Sequence, residues 1–367
     1  MSNQMKLEEV DKNFSFESTI EREGLVYYDV RRGPFVFHGL YEPYDESQAF
    51  HRMPTDVAKT VSQGVNFLNF WTAGGRVRFA TNSPFIAVRC ETRNPIEAST
   101  LMSLANRAGF DLYEEDENGT VFFRNTLVTA PDRLGSTGFE AIKDLPKDGK
   151  VRQYILNFPC YGSVKNLVIG LHCDAVLEAG APYKYEKPVV YYGSSITQGG
   201  CASRPGMTYQ AHLSKEFGFD YINLGFSGNA KGEPEMIEYL ASLDPMIFVC
   251  DYDHNAPTAE HLQATLPPLY RTFREKHPET PFIFVSAPAM NTNKAKHDIV
   301  ENTAREAIEG GDKNAYFVDG AYMFDGIFPK DCTGDNCHPN DIGFLRMYET
   351  MAPTFREILA KMKGDEQ

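Results

Sequence analysis

The chain has 367 residues, enough for two domains, and its 42% hydrophobic content is that of a globular protein with a sizeable buried core. A formal net charge of −14, with no run of Lys and Arg, leaves no basic stripe for a phosphate backbone and excludes nucleic acid as an expected partner. No stretch is apolar enough to span a bilayer, and the polar opening MSNQMKLEEVDKNFSF lacks the apolar core of a signal peptide, so a cytoplasmic location is expected.

Seven scattered cysteines, an odd number, do not make a disulfide framework and are expected as thiols. The sequons at Asn13 and Asn118 would matter only in an exported protein.

From about residue 14 to residue 177 the apolar residues favour a period of two. In RVRFAT, Val77 and Phe79 share a face; in FIAVRCET, Ile86, Val88 and Cys90 alternate with polar neighbours, the pattern of half-buried strands. Turn signals at TNSP, DENG and LPKDGK separate these runs and introduce further strands in RQYILNF and NLVIGLH. An all-β, jelly-roll-like sandwich over residues 1–183 is the expected architecture.

After the polar EAGAPYKYEKP the pattern changes, and a second domain is expected over residues 184–367. Five short apolar strands, at 189–192, 221–225, 246–251, 282–287 and 315–320, alternate with amphipathic segments such as 209–217 and 297–309. Continuous apolar strands between helices imply a parallel sheet covered on both faces, a three-layer α/β/α, flavodoxin-like domain with about five strands. Pro267 and Pro268 are expected to break or kink the helical segment that carries them.

Ligands of an open parallel sheet bind beyond the carboxyl ends of the strands, so the turns after the strands hold the candidate site. The first strand runs into GSSITQG, the second into GFSGNA, the third into DYDHNAPT, and the last leads to DNCHPND. Alone, a turn such as GSSITQG is weak evidence, because serine also caps helices. Four such segments in order on one sheet edge are stronger.

These segments resemble the sequence blocks of the SGNH, or GDSL-type, hydrolases, over roughly residues 188–359. GSSITQG is similar to the block that carries the nucleophile, which makes Ser195 that residue; Ser194 stands where the family usually has Asp. NLGFSGNA resembles the second block and carries over Gly228 as a backbone donor. DHNAP matches the third block more loosely, with Asn255 as the best match and His254 in place of a small neighbour. DNCHP matches Asp-x-x-His-Pro and carries over Asp335 and His338. In the first half, GFDLYEED at 109–116 resembles the Gly-x-Asp-Leu-Tyr signature of a β-rich domain found ahead of some SGNH domains.

The resemblance implies a serine esterase with a Ser195, His338, Asp335 triad and an oxyanion hole from Ser195, Gly228 and Asn255. Its substrate would be a small acyl ester, with an acetylated sugar as the candidate. Alternatives with the same triad are a lysophospholipase or thioesterase and an acyltransferase; a further one is an inactive carbohydrate-binding protein. No cofactor and no metal is expected: Cys332, Cys337, His338 and Asp335 form a Cys-x4-Cys-His run that lacks a second ligand pair at zinc-like spacing.

Overall fold

The structure is a computed structural model describing residues 4–5, 14, 16–288, 293–326 and 328–365; the sequon at Asn13 lies outside them. The chain resolves into two compact units. The first comprises Met1–Arg52, Phe70–Lys184 and Ser203–Gly206; the second comprises Met53–Asn69, Tyr185–Ala202 and Met207–Gln367.

Among the described residues, eleven strands build the first unit: β1 (Gln4–Met5), β2 (Leu25–Asp29), β3 (Val36–His38), β4 (Arg76–Thr81), β5 (Phe85–Glu91), β6 (Gly109–Glu115), β7 (Val121–Val128), β8 (Gly138–Asp144), β9 (Arg152–Asn157), β10 (Asn166–His172) and β11 (Leu177–Ala179). They form two antiparallel sheets, ordered β1-β2-β10-β5-β8 and β11-β4-β9-β6-β7, with β3 also on β4. Val77, Phe79, Ile86, Val88 and Cys90 fill a common core with Phe110, Leu112 and Leu156, as the period-two pattern requires.

The opposite faces of β4 and β5 are not solvated as alternation alone suggests. Arg76, Arg78 and Arg89 are 2%, 1% and 0% exposed. Each guanidinium lies against aromatic rings: Arg78 is 4.3 Å from the Tyr183 ring and paired with Glu115, and Arg89 sits 4.8 Å from Phe14 and 4.9 Å from Phe16. Planar, weakly hydrated guanidinium groups tolerate such cover where an ammonium would not.

The GFDLY segment is the start of β6 and uses both its faces. Phe110 and Leu112 point into the sandwich core. The fully buried Asp111 accepts hydrogen bonds from Gly206 N–H at 2.7 Å, Asn157 Nδ2 at 2.7 Å and Arg204 at 3.2 Å. The Tyr113 hydroxyl donates to Gly206 O at 3.2 Å, and a Cβ on Gly206 would strike the Tyr113 ring. Asp111 and Tyr113 thus clamp the Ser203–Gly206 segment.

The second unit carries five parallel strands, β12 (Val189–Gly193), β13 (Tyr221–Gly225), β14 (Ile247–Asp251), β15 (Phe282–Val285) and β16 (Ala315–Val318), in the order β13-β12-β14-β15-β16. Helices Tyr209–Phe217 and Asp341–Asp365 pack together as one group, and Pro234–Ser242, Ala259–Lys276 and Lys294–Glu309 pack in series as another. The chain leaves β12 to one side for β13 and returns to its other side for β14, so β12 ends at a topological switch point.

Helix Ala259–Lys276 runs unbroken through Pro267 and Pro268. Leu262, Leu266, Leu269 and Phe273 form a buried seam on both sides of the proline pair, and that burial outweighs the missing backbone donors. Among the described residues, no helix is long and apolar enough to cross a membrane.

Candidate active site

β12 ends in Gly193, and a Cβ there would collide with the Thr197 side chain and the Asp251 carbonyl. Only glycine lets the first turn fold back so tightly. Ser194 follows as the N-cap of the one-turn helix Ser195–Gln198, its Oγ accepting from Ile196 N–H at 3.1 Å. Serine and aspartate are both strong N-caps, so Ser194 caps this turn at a position where the resembled family has Asp. Ser195 is the first helical residue, 5% exposed, and Gly199 closes the turn at φ 103°.

The turn after β13 is fastened to this one. Phe226 N–H donates to Gly193 O at 2.8 Å and Ser227 N–H to Gln198 Oε1 at 2.9 Å. Gly225 leaves no room for a Cβ against the Gln198 backbone. Gly228 takes φ 68° with open space where a Cβ would stand, so its backbone conformation, not crowding, calls for glycine. Asn255, in the short turn Asp253–Asn255 after β14, donates through Nδ2 to Phe226 O at 2.9 Å. That bond uses one amide hydrogen and leaves Nδ2 with a second.

The last segment is a tight loop before helix Asp341–Asp365. Asp335 Oδ1 accepts from the N–H groups of Cys337 at 3.0 Å and His338 at 2.7 Å, Asn336 adopts φ 64°, and Gly334 N–H donates to His338 O at 2.9 Å. This Asx-type fold leaves Asp335 Oδ2 facing the imidazole, 2.7 Å from His338 Nδ1. On the other side of the ring, His338 Nε2 lies 2.9 Å from Ser195 Oγ. Ser195, His338 and Asp335 therefore form one hydrogen-bonded chain across 143 residues of sequence.

Electrostatics at the loop are dominated by a thiol. Cys337 Sγ lies 3.4 Å from His254 Nε2. Hydrogen bonding to His254, then to His338, pulls the Cys337 thiol down to about 6. In return the hydrogen bond with Cys337, assisted by Asp335 and opposed by burial, raises His338 to about 9, and the bond with Cys337 raises His254 as well. Burial acts upward on Asp335, but its hydrogen bonds with His338 and Cys337 outweigh that and hold it below the usual carboxylate range.

Beneath the Ser195 turn lies a carboxyl group the sequence did not single out. Asp251, at the end of β14, accepts from Thr197 Oγ1 at 3.0 Å and Tyr209 OH at 3.1 Å. Burial, with the charge of Asp253, pushes Asp251 up to about 8, so near pH 7 it is mainly the neutral acid. Its only sequence signal is an Asp at the end of an apolar strand. A second omission is helix Gln63–Leu68, drawn from the first half of the chain but belonging to the second unit. Gly64 has no room for a Cβ against the side chain of Asn229, next to Gly228.

Residues 186–356 match the model of the GDSL-like Lipase/Acylhydrolase family, and residues 25–177 match the GxDLY model, described as the N-terminus of Esterase_SGNH_hydro-type. A crystal structure described as a GDSL-like lipase, from Bacteroides ovatus ATCC 8483, is similar at 29% identity and TM-score 0.81, covering 92% of this chain and 98% of that one. Two more share the fold. The salicylyl-acyltransferase SsfX3 from a tetracycline biosynthetic pathway is 20% identical, with TM-score 0.70 and coverage of 94% and 99%. An acetyl xylan esterase, Est2A, from the rumen bacterium Butyrivibrio proteoclasticus is 13% identical, with TM-score 0.58 and coverage of 92% and 99%. No curated protein matches the chain. The second unit therefore carries a GDSL-like lipase/acylhydrolase domain of the SGNH type, and the β-sandwich that precedes it in sequence is the GxDLY domain described as the N-terminus of SGNH-type esterases.

Proposed function

We propose that the chain hydrolyses a small acyl ester through an acyl-enzyme on Ser195. The observation that carries this reading is the hydrogen-bonded series from Ser195 Oγ to His338 Nε2, 2.9 Å, and from His338 Nδ1 to Asp335 Oδ2, 2.7 Å. A serine hydroxyl attacks a carbonyl only if a base takes its proton, and imidazole both takes it and returns it to the leaving alcohol. Asp335 fixes the His338 tautomer and stabilises the imidazolium without becoming protonated.

Charge that develops on the carbonyl oxygen would meet the N–H groups of Ser195 and Gly228 and the second Asn255 amide hydrogen. Each such donor is worth roughly 100- to 1,000-fold in rate. Water then releases the acyl group by the same steps in reverse.

For the alcohol portion, an O-acetylated sugar is the favoured class. The support is the fold shared with Est2A and with a family two carbohydrate esterase from Clostridium thermocellum seen in complex with cellohexaose. Transfer of the acyl group to an alcohol other than water is the second reading, favoured by the fold shared with SsfX3.

Hydrolysis of p-nitrophenyl esters from acetate to long acyl chains tests the reading, with acetylated xylo- and manno-oligosaccharides as the second panel. Short esters should turn over, and Ser195→Ala should lower kcat on the order of a million-fold. A wild-type enzyme inert on every ester, or a fully active Ser195→Ala variant, would overturn it. Faster consumption in the presence of added alcohols, with ester products, would select acyl transfer.

A further inference from the structure

His254 and Cys337 are two positions that the resemblance leaves unexplained, and they meet in space. His254 replaces a small neighbour in the Asn255 segment, Cys337 precedes His338, and their side chains touch at 3.4 Å between Nε2 and Sγ. Asp335, Cys337 and His338 each present a donor atom within 4.8 Å of the other two. The Cys-x4-Cys-His run lacks a second ligand pair within itself, but the fold brings His254 to it from the turn after β14, 83 residues away. Cys332, the other cysteine of that run, is buried and lies 3.2 Å from the Arg346 guanidinium.

We propose that His254, Cys337 and His338, with Asp335 as the fourth donor, form a binding site for a thiophilic divalent cation of the Zn2+ class, and that its occupancy switches the esterase off.

Thiolate and imidazole donors at about 2.3 and 2.0–2.1 Å from a tetrahedral Zn2+ stand about 3.5 Å apart. The Cys337 Sγ to His254 Nε2 distance of 3.4 Å meets that requirement without movement. All four side chains are partly exposed, so an ion can reach them. One sulfur, two imidazoles and one carboxylate are the donor types that favour zinc over calcium or magnesium. The bonds made are metal to Sγ, to two imidazole nitrogens and to a carboxylate oxygen, and the thiol proton leaves to solvent.

Both nitrogens of His338 are already engaged, Nε2 with Ser195 and Nδ1 with Asp335. A metal on either one breaks one of the two hydrogen bonds that the proposed chemistry needs. Metal binding stands apart from the esterase reading; only the inhibition rests on it.

The test is titration of chelator-stripped protein with Co2+, read as the thiolate-to-cobalt absorption band, followed by displacement with Zn2+. Cys173 adjoins His172 and Asp174 in an exposed group, so all proteins carry Cys173→Ser. One equivalent of Co2+ should give the band, Ser195→Ala should retain it, and Cys337→Ser should abolish it. His254→Ala should weaken binding by more than the roughly 10- to 100-fold typical of a lost outer partner. Zn2+ should inhibit ester hydrolysis reversibly, and the Cys337→Ser enzyme should resist it. Absence of the band, or a band that survives Cys337→Ser in a protein with unchanged thermal melting, overturns the site. A band in a protein that hydrolyses no ester leaves the site standing and removes the esterase reading; hydrolysis without a band does the reverse.

Discussion

Ser194 Oγ accepts a hydrogen bond from the Ile196 N–H at 3.1 Å, which separates the two adjacent serines by role: one caps the turn, and its neighbour faces His338. Ser194→Ala should cost about 1 kcal/mol of stability, the usual worth of an N-cap, and keep most of kcat. Chemical denaturation alongside ester turnover checks this; loss of activity as severe as in Ser195→Ala would contradict it.

The pH profile of the metal-free enzyme should be displaced to alkaline values. In the proposed mechanism His338 must be neutral to accept the Ser195 proton, and its neighbours raise it to about 9, so kcat/KM should climb with pH up to about that value. Cys337 is the largest upward influence, so Cys337→Ala should move the rising limb to lower pH and increase activity near pH 7. Profiles measured with chelator present decide it; a limb unmoved by Cys337→Ala would refute the assignment.

Asp251 should make the fold less stable as pH rises. Its folded value of about 8 stands above the ordinary 3.8, so between these values the native state holds a proton that the unfolded chain has released. The contribution is therefore full below about pH 4 and is lost as pH rises through about 8. Asp251→Asn should flatten that decline and give a higher Tm than wild type at pH 9, measured by thermal melts across the range.

Asp111 should be worth more than a surface charge. It is 0% exposed and satisfies Gly206 N–H, Asn157 and Arg204 together. Asp111→Ala should destabilise by about 3–5 kcal/mol, since it leaves a partly buried guanidinium without its carboxylate. Denaturant unfolding measures it; a cost below 1 kcal/mol would show that the clamp is not what the GFDLY segment contributes.

Much of this architecture was legible. The strands of the parallel sheet are uninterrupted apolar runs, so Tyr221–Gly225 and Val189–Gly193 could be located to within a residue of their observed ends. The residues proposed for the site could be named from the sequence because the segments that carry them resemble the SGNH blocks and follow apolar strands, where ligands of a parallel sheet bind. What escaped was set by long-range packing. Nothing local marks Arg78 and Arg89 as buried, because the rings that cover them, Tyr183, Phe14 and Phe16, are distant in sequence. Likewise the approach of Cys337 to His254 depends on how two separate loops fold. The proline pair misled because a helix boundary is a local expectation, whereas the Leu262 to Phe273 seam is a tertiary one.

The assignment of Met53–Asn69 to the second unit has a consequence for biosynthesis. These residues leave the ribosome 120 positions ahead of Val189, the first residue of the parallel sheet. At about 5–20 residues per second that gap lasts roughly 6–24 s. Throughout it Ala58 and Val61 of helix Thr55–Val61 must wait for helix Pro234–Ser242, against which that helix packs. Strands β4 to β11 of the sandwich are encoded within that interval and can join β1 to β3, made earlier, so the sheets of the first unit can be completed while helix Thr55–Val61 still lacks its cover.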